Sequence, residues 1–125
     1  MKKSEKVGLN LKALLLDHDL EMLNTLTQKL IGLGMDIESS DSLHRARMLF
    51  KQDPMKIQVL ITEINFQDGD AFTLIKWMRK KNPNLIALIV TGEADLPSAI
   101  TAIKLGFADY LEKPVSMKEM QNAIL

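Results

Sequence analysis

The stretch Leu85-Ile86-Ala87-Leu88-Ile89-Val90-Thr91-Gly92 decides the fold of this chain. Its apolar residues do not alternate with polar ones, and a strand with this pattern is buried on both faces. Such strands form parallel sheets that helices cover on both sides. Similar runs recur along the chain, and together they predict strands at Ala13–Leu16, Ile57–Ile61 and Leu85–Val90, with weaker candidates at Asp36–Ser39 and Ala108–Leu111.

Segments in which apolar residues recur at helical spacing separate the predicted strands. Their apolar stripes are Leu20-Leu23-Leu26-Leu30-Ile31, Leu43-Ala46-Phe50, Phe72-Leu74-Ile75-Met78 and Ala99-Ile100-Ile103-Leu105. The predicted caps are Asp41 or Ser42, Asp70 and Asp95, and the predicted stops are Gly32 with Gly34, Asp53-Pro54, Asn82-Pro83 and Gly106. A last helix is predicted from Met117 to Leu125. This repeated β-α order predicts an α/β fold with a doubly wound, five-stranded parallel sheet.

The composition indicates one soluble domain without thiol chemistry. A chain of 125 residues, 46% apolar and 26% charged, can bury a sizeable core. Its 16 basic and 16 acidic residues balance, so no overall charge favours nucleic acid or a membrane surface. The lack of cysteine excludes disulfides and thiolate sites. We expect a cytoplasmic protein with an N-terminal extension at residues 1–10 and one domain at residues 11–125, whose last helix the end of the sequence interrupts.

Polar residues directly follow four of the predicted strands. They are Asp17-His18-Asp19, Glu63 with Asn65, Thr91-Gly92 and Lys113-Pro114. In a sheet of this kind, ligands bind at the carboxyl ends of the strands, near the switch in strand order. Two acids, a hydroxyl group and a lysine are therefore expected to converge on one crevice.

Over roughly Leu11–Leu125, the chain resembles the receiver domain of bacterial two-component response regulators. The resemblance implies the (βα)5, flavodoxin-like form of the fold, with strand order 2-1-3-4-5. The family has an acidic pair after the first strand, a phosphoacceptor aspartate after the third, a hydroxyl residue after the fourth and Lys-Pro after the fifth. The positions that match are Asp17 for the first acid, Thr91 for the hydroxyl, Lys113 for the lysine, Pro114 for the proline that follows a cis bond, and Tyr110 for the aromatic residue that moves on activation.

Two positions depart from the family pattern. His18 stands where the second acid is usual, and Glu63 stands where the phosphoacceptor is usual. In the family, the aspartate accepts a phosphoryl group with the help of Mg²⁺, which needs closely placed oxygen ligands. Histidine is a poor ligand for Mg²⁺, so the remaining candidates are Asp17, Glu63 and the backbone carbonyl of Asn65. Glutamate also moves the carboxylate outward by about 1.5 Å, and we expect neither efficient phosphorylation nor a required cofactor.

The sequence leaves two interpretations of Glu63 open. In the first, Glu63 is a fixed, partial substitute for phosphoaspartate that pairs with Lys113 and accepts a hydrogen bond from Thr91. In the second, the site is lost and Glu63 forms a structural ion pair with Lys113. His18 is interpreted as an exposed or hydrogen-bonded loop residue, in preference to a ligand of a softer metal such as Zn²⁺. Asp19 is interpreted as the cap of the first helix.

The resemblance implies a receiver-like signalling module of a two-component phosphorelay, and not an enzyme. We expect phosphorylation-independent action through protein contacts, with a sensor kinase or an output domain or effector as the partner. The last third of the chain is a candidate surface for a partner or a homodimer, through Ile100, Ile103, Tyr110 and Met117. No direct contact with nucleic acid or a membrane is expected.

Two alternatives remain from the sequence. One is a working receiver with weak or atypical Mg²⁺-dependent phosphorylation. The other is a fragment of a haloacid-dehalogenase-type phosphatase, which Asp17-His18-Asp19 also resembles. Outside the site, the basic run Arg79-Lys80-Lys81 is predicted to be a solvated helix end, where cations suit the helix dipole.

Overall fold

The structure, a computed structural model, describes residues 10–124. Residues 1–9 of the predicted extension and Leu125 of the last helix lie outside the described residues. The five strands of the main sheet are β1 Lys12–Leu16, β2 Asp36–Ser40, β3 Val59–Thr62, β4 Ile86–Thr91 and β5 Asp109–Glu112. The five α-helices are α1 Leu20–Gly32, α2 Leu43–Gln52, α3 Ala71–Lys81, α4 Leu96–Lys104 and α5 Met117–Ile124.

All neighbouring strands of the main sheet are parallel, in the order β2-β1-β3-β4-β5. The predicted flavodoxin-like α/β fold is thereby confirmed. Strand bounds differ from the predicted ones by one or two residues. The largest shift is at β3. The short 3-10 helix Pro54–Lys56 ends directly before Ile57, so the strand begins at Val59 and not at Ile57.

The core has two layers, one on each face of the sheet. In β4, Ala87 and Ile89 pack with residues of α2, α3 and α4, whereas Leu88 and Val90 pack with residues of α1 and α5. Burial on both faces explains why the strand sequences lack alternation. The residues that fill the first layer from the helices include Leu43, Ala46, Phe50, Leu74, Ile75, Met78 and Ala102.

The predicted helix caps are present. Asp19 accepts hydrogen bonds from the backbone N–H groups of Glu21 and Met22 at 3.0 and 3.2 Å, which confirms its role as the cap of α1. Of the two candidates for α2, Ser42 is the cap. Asp70 and Asp95 cap α3 and α4 through the N–H groups three residues later.

Helix α4 leaves most of its apolar stripe in contact with solvent. Ile100 and Ile103, which the sequence names as candidates for a contact surface, are 42% and 74% exposed. Ala102 is the buried residue among the nine described residues of this helix. Helical spacing identifies residues that share a face, and it does not say whether another element covers that face. The same reason accounts for the exposure of Leu20 and Ile31 at the ends of the α1 stripe.

Arg79 corrects one prediction, because it is not part of a solvated helix end. Its guanidinium group is half-buried and donates to the backbone carbonyls of Leu105, Gly106 and Leu85, the last two at 2.9 and 3.4 Å. Gly106 has a positive φ of 77°, and a Cβ there would lie 2.9 Å from the Arg79 Nη1 atom. Arg79 therefore holds the carboxyl end of α4 against α3.

Candidate functional site

The strand order brings the predicted site residues together. β1, β3, β4 and β5 lie side by side, and their carboxyl ends carry Asp17, Glu63, Thr91 and Lys113. Backbone hydrogen bonds extend the ladders into the site, from Glu63 N–H to the Leu16 carbonyl and from Lys113 N–H to the Thr91 carbonyl, both at 2.9 Å. Asp17, Glu63 and Thr91 are buried, so the site is largely shielded from water.

Lys113 connects the two acids. Its Nζ atom lies 2.6 Å from Asp17 Oδ2 and 3.0 Å from Glu63 Oε1, and its side chain is 15% exposed. The peptide bond between Lys113 and Pro114 is cis, as the resemblance implies for this position. One ammonium group thus sits between two buried carboxylates, which leaves one negative charge uncompensated by this trio.

The pKa values of Lys113 and Glu63 shift in the directions that keep both side chains ionised. For Lys113, burial alone would lower the pKa, but hydrogen bonds to Asp17 and Glu63 outweigh it and raise the pKa. For Glu63, burial alone would raise the pKa, but the nearby Thr91 hydroxyl and the hydrogen bonds from Ile64 N–H and Lys113 outweigh it and lower the pKa. The site is therefore built to hold a carboxylate and an ammonium group in their ionised forms.

The Glu63 carboxylate has further partners in the loops around it. Oε2 accepts from the N–H of Ile64 at 2.8 Å, and Oε1 accepts from the N–H of Gly92 at 3.3 Å. The Thr91 hydroxyl also favours the ionised carboxylate. The hydrogen bond with good distance and angle at the Thr91 hydroxyl, however, is a different one: its oxygen accepts from Glu93 N–H at 3.1 Å. Glu63 thus joins β3 to the loop that follows β4.

His18 lies beside the two acids and is exposed. Asp17, His18 and Glu63 each have one potential metal-ligand atom within 4.8 Å of those of the other two residues. The imidazole ring also meets the Phe66 ring edge-on, with 6.2 Å between the ring centroids. The donor set does not fit Mg²⁺, because one of the three donors is a nitrogen and Mg²⁺ takes oxygen ligands. The third oxygen candidate, Asn65, is exposed on the neighbouring loop.

The loop after Glu63 forms a structure that the sequence did not predict. Asn65–Phe66 and Gly69–Asp70 pair as a short antiparallel hairpin. The hairpin borders an open cleft of about 680 Å³ beside the acidic site, lined by His18, Asp41, Ser42, Asn65, Phe66, Gln67 and Asp68. Asp68 closes one end, because its carboxylate accepts from the N–H groups of Leu43 and His44 at 3.2 and 2.9 Å. The Asp68-Gly69 pair is a turn signal, but nothing in it indicates a contact with α2.

Tyr110 lies farther from the acids, at the other end of the β4–α4 loop. Its ring is half-buried against the first core layer, and its hydroxyl shares a 2.6 Å hydrogen bond with the Ser98 hydroxyl. It also accepts from Asp95 N–H at 3.2 Å. Tyr110 therefore contacts the amino end of α4, whereas Arg79 contacts the carboxyl end.

The model of the family described as "Response regulator receiver domain" matches residues 13–125. The chain belongs to the response regulator receiver domain family. Among solved structures, the receiver domain from Clostridium thermocellum superposes with a TM-score of 0.85 at 27% identity, over 91% of this chain and 90% of that one. Receiver domains of this family are signalling modules of two-component systems. This assignment favours the receiver interpretation over a dehalogenase-type phosphatase.

Two curated relatives show how this receiver domain compares with whole regulators. The photosynthetic apparatus regulatory protein RegA of Cereibacter sphaeroides is 25% identical over 120 residues, which cover 96% of this chain and 64% of RegA. The response regulator protein PilR of Pseudomonas aeruginosa is 26% identical over 113 residues, which cover 90% of this chain and 25% of PilR. The chain thus spans less than two-thirds of either relative. Within residues 10–124, no helix is both long and apolar enough to cross a bilayer.

Proposed function

We propose that this receiver domain signals through protein contacts without phosphorylation of its own third-strand acid. The observation that carries the proposal is the state of Glu63, which stands at the position of the phosphoacceptor. Both of its carboxylate oxygens are engaged, by Lys113 and Gly92 on one side and by Ile64 on the other. Hydrogen bonds to both oxygens restrain the carboxylate and occupy the lone pairs with which it would attack phosphorus.

The geometry of phosphoryl transfer gives a second reason. The reaction depends on in-line alignment and on a metal ion that neutralises developing charge. A glutamate displaces the carboxylate by about 1.5 Å relative to an aspartate. A misplacement of about 1 Å can cost on the order of 100-fold in such a reaction. Replacement of the second acid by His18 removes an oxygen ligand on the metal side as well.

Glu63 can also act as a permanent, partial substitute for phosphoaspartate. Its Oε1 atom already reaches Lys113 and the backbone N–H of Gly92, which are groups that would suit a phosphate oxygen. A carboxylate carries less charge and fewer oxygens than a phosphate, so the mimicry is partial. The competing interpretation is a structural ion pair between Glu63 and Lys113 with no effect beyond stability.

The face used for protein contacts is proposed to be that of α4 and β5. Leu96, Ile100 and Ile103 recur at helical spacing and are 73%, 42% and 74% exposed. Exposed apolar residues in such a group are typical of protein interaction sites. The partner is proposed to be a sensor kinase, an output domain or effector, or a second copy of this chain. The balanced charge of the chain gives no support for direct nucleic-acid or membrane binding.

The decisive test of phosphorylation is intact-mass measurement after incubation with acetyl phosphate and MgCl2. The unmodified mass is expected for the wild type. A phosphoryl group located on Glu63 would overturn the proposal and favour the alternative, a receiver with weak, atypical phosphorylation. The double variant Glu63→Asp with His18→Asp is expected to gain a phosphoryl group in the presence of Mg²⁺. If it stays unmodified, these two positions do not account for the loss.

Amide hydrogen exchange of Glu63→Gln separates the two interpretations of Glu63. The variant keeps the shape of the side chain and removes its charge. Faster exchange confined to the loop after β4 and to α4 supports the substitute for phosphoaspartate. A uniform change that follows global stability supports the ion pair alone.

The contact face is tested with Ile103→Glu, read as self-association by light scattering and as binding to the cognate kinase or output domain. Ile31→Glu is the matched control, because Ile31 is an exposed isoleucine at the end of α1. Weaker association for Ile103→Glu alone supports the proposed face. Equal effects of the two variants would contradict it.

A further inference from the structure

The acidic site does not suit Mg²⁺, but its three side chains suit a different kind of divalent ion. Asp17, His18 and Glu63 each offer a ligand atom, and the three atoms lie within 4.8 Å of one another. We propose that these residues bind a divalent transition metal ion such as Zn²⁺ in preference to Mg²⁺. This inference goes beyond the signalling function, since it concerns the ligand of the site and not whether the site is phosphorylated.

The types of donor support this selectivity. Imidazole nitrogen and carboxylate oxygen are both common ligands of Zn²⁺, which accepts four ligands in a tetrahedral arrangement. Mg²⁺ demands near-octahedral oxygen coordination. For a nitrogen and oxygen donor set of this kind, affinity rises along the first transition series toward copper and stays high for zinc. His18 therefore changes the preferred ion as well as weakening the site for the usual one.

The geometry requires only a small adjustment, and the most exposed residue can make it. Ligand atoms about 2.1 Å from a tetrahedral ion lie about 3.4 Å apart, so the widest separation must close by about 1.4 Å. Asp17 and Glu63 are fixed by their hydrogen bonds, whereas His18 is exposed and in a loop. Rotation of the His18 side chain from its edge-on contact with Phe66 is the adjustment available to the imidazole, and displacement of the Lys113 ammonium group is the one that the two carboxylates require.

The charge balance also leaves room for a cation. Asp17 and Glu63 carry two negative charges, and Lys113 supplies one positive charge to both of them. A divalent ion and the ammonium group must then compete for the same carboxylates. Removing the ammonium group with Lys113→Met is therefore expected to strengthen Zn²⁺ binding, in the direction opposite to a variant that removes a ligand.

The test is calorimetric titration of the full, untagged chain with ZnCl2 and, separately, with MgCl2. The chain has two histidines and no cysteine, so His44 on α2 provides a matched control. We expect one Zn²⁺ site per chain with at least about tenfold preference over Mg²⁺, and at least about tenfold weaker Zn²⁺ binding in His18→Ala, since even outer partners of metal ligands are worth this much. His44→Ala is expected to bind Zn²⁺ as the wild type does.

A ligand exchange at the same position gives a second, independent readout. His18→Asp supplies an oxygen in place of the imidazole nitrogen, and it is expected to gain Mg²⁺ affinity while losing Zn²⁺ affinity. Equal binding of both ions by the wild type would overturn the proposal. So would an equal loss of Zn²⁺ binding in His18→Ala and His44→Ala. Because these titrations contain no phosphodonor, their result is separate from the mass measurement that tests phosphorylation.

Discussion

The Nζ atom of Lys113 lies 2.6 Å from Asp17 Oδ2, across 96 residues of sequence, and the contact is nearly buried on the Asp17 side. The carboxyl end of the first strand is thereby tied to that of the last strand of the sheet. Glu63, between them, receives the same ammonium group.

Removal of the ammonium group is expected to destabilise the fold more than removal of one carboxylate charge. Lys113→Met leaves two buried carboxylates facing each other, at a cost of about 3 kcal/mol in the free energy of unfolding. Glu63→Gln leaves Lys113 paired with Asp17 and is expected to cost about 1 kcal/mol. Urea denaturation measures both, with Lys76→Met on the exposed side of α3 as the surface control. A larger loss for Glu63→Gln would contradict this order.

Stability is expected to depend on pH through the same two groups. The folded pKa of Glu63 is lowered, so its contribution is present above the unfolded value of about 4.3 and is lost as pH falls through the folded value. The folded pKa of Lys113 is raised, so its contribution is present below about 10.4 and is lost as pH rises through the folded value. Urea midpoints against pH should show a shallower acid limb for Glu63→Gln and a shallower alkaline limb for Lys113→Met. Curves parallel to the wild type would refute the assignment.

Arg79 is expected to stabilise the end of α4. Its guanidinium group donates to three backbone carbonyls, and their loss in Arg79→Met should cost about 2 kcal/mol. Amide exchange should rise at Leu105 and Gly106 in particular. Lys80→Met is the control, because it places a methionine at the exposed neighbouring position of α3 without removing such contacts. The assignment is wrong if the two variants behave alike.

Asp68 is expected to support the amino end of α2 across the cleft. Its carboxylate accepts from the N–H groups of Leu43 and His44, and the hydrogen bond from His44 is the first cause of its lowered pKa. Asp68→Ala should cost about 1 kcal/mol, the usual value of a helix cap. Asp41→Ala is the control, because Asp41 borders the same cleft and Ser42 is the cap in its place. A similar loss in both variants would argue against a specific contact.

The sequence predicted the strands and the convergence of the acids because both follow from local patterns. Apolar runs without alternation require burial on both faces, and parallel strands place their carboxyl ends at one edge. The resemblance to receivers then added the strand order. The hairpin beside Glu63 escaped prediction, since strands of two residues are too short to show a period.

Contacts made across long sequence separations were out of reach. Arg79 meets carbonyls up to 27 residues away, and nothing in the run Arg79-Lys80-Lys81 distinguishes the first residue from its neighbours. The exposure of Ile103 was equally hidden, because the sequence does not say where the layer of helices ends. The edge-on contact between His18 and Phe66 depends on the hairpin and was missed with it.

Among the nine described residues of helix α4, Ala102 is the one whose side chain is buried. Polar contacts from Tyr110 and Arg79 hold the two ends of this helix. A helix attached mainly by hydrogen bonds loses little hydrophobic free energy when it shifts, because so little apolar area leaves the core. A hydrogen bond is worth about 1 kcal/mol, so exchanging a few of them alters the populations of two helix positions by one or two orders of magnitude. The binding energy of one modest protein partner is then sufficient to select between those positions.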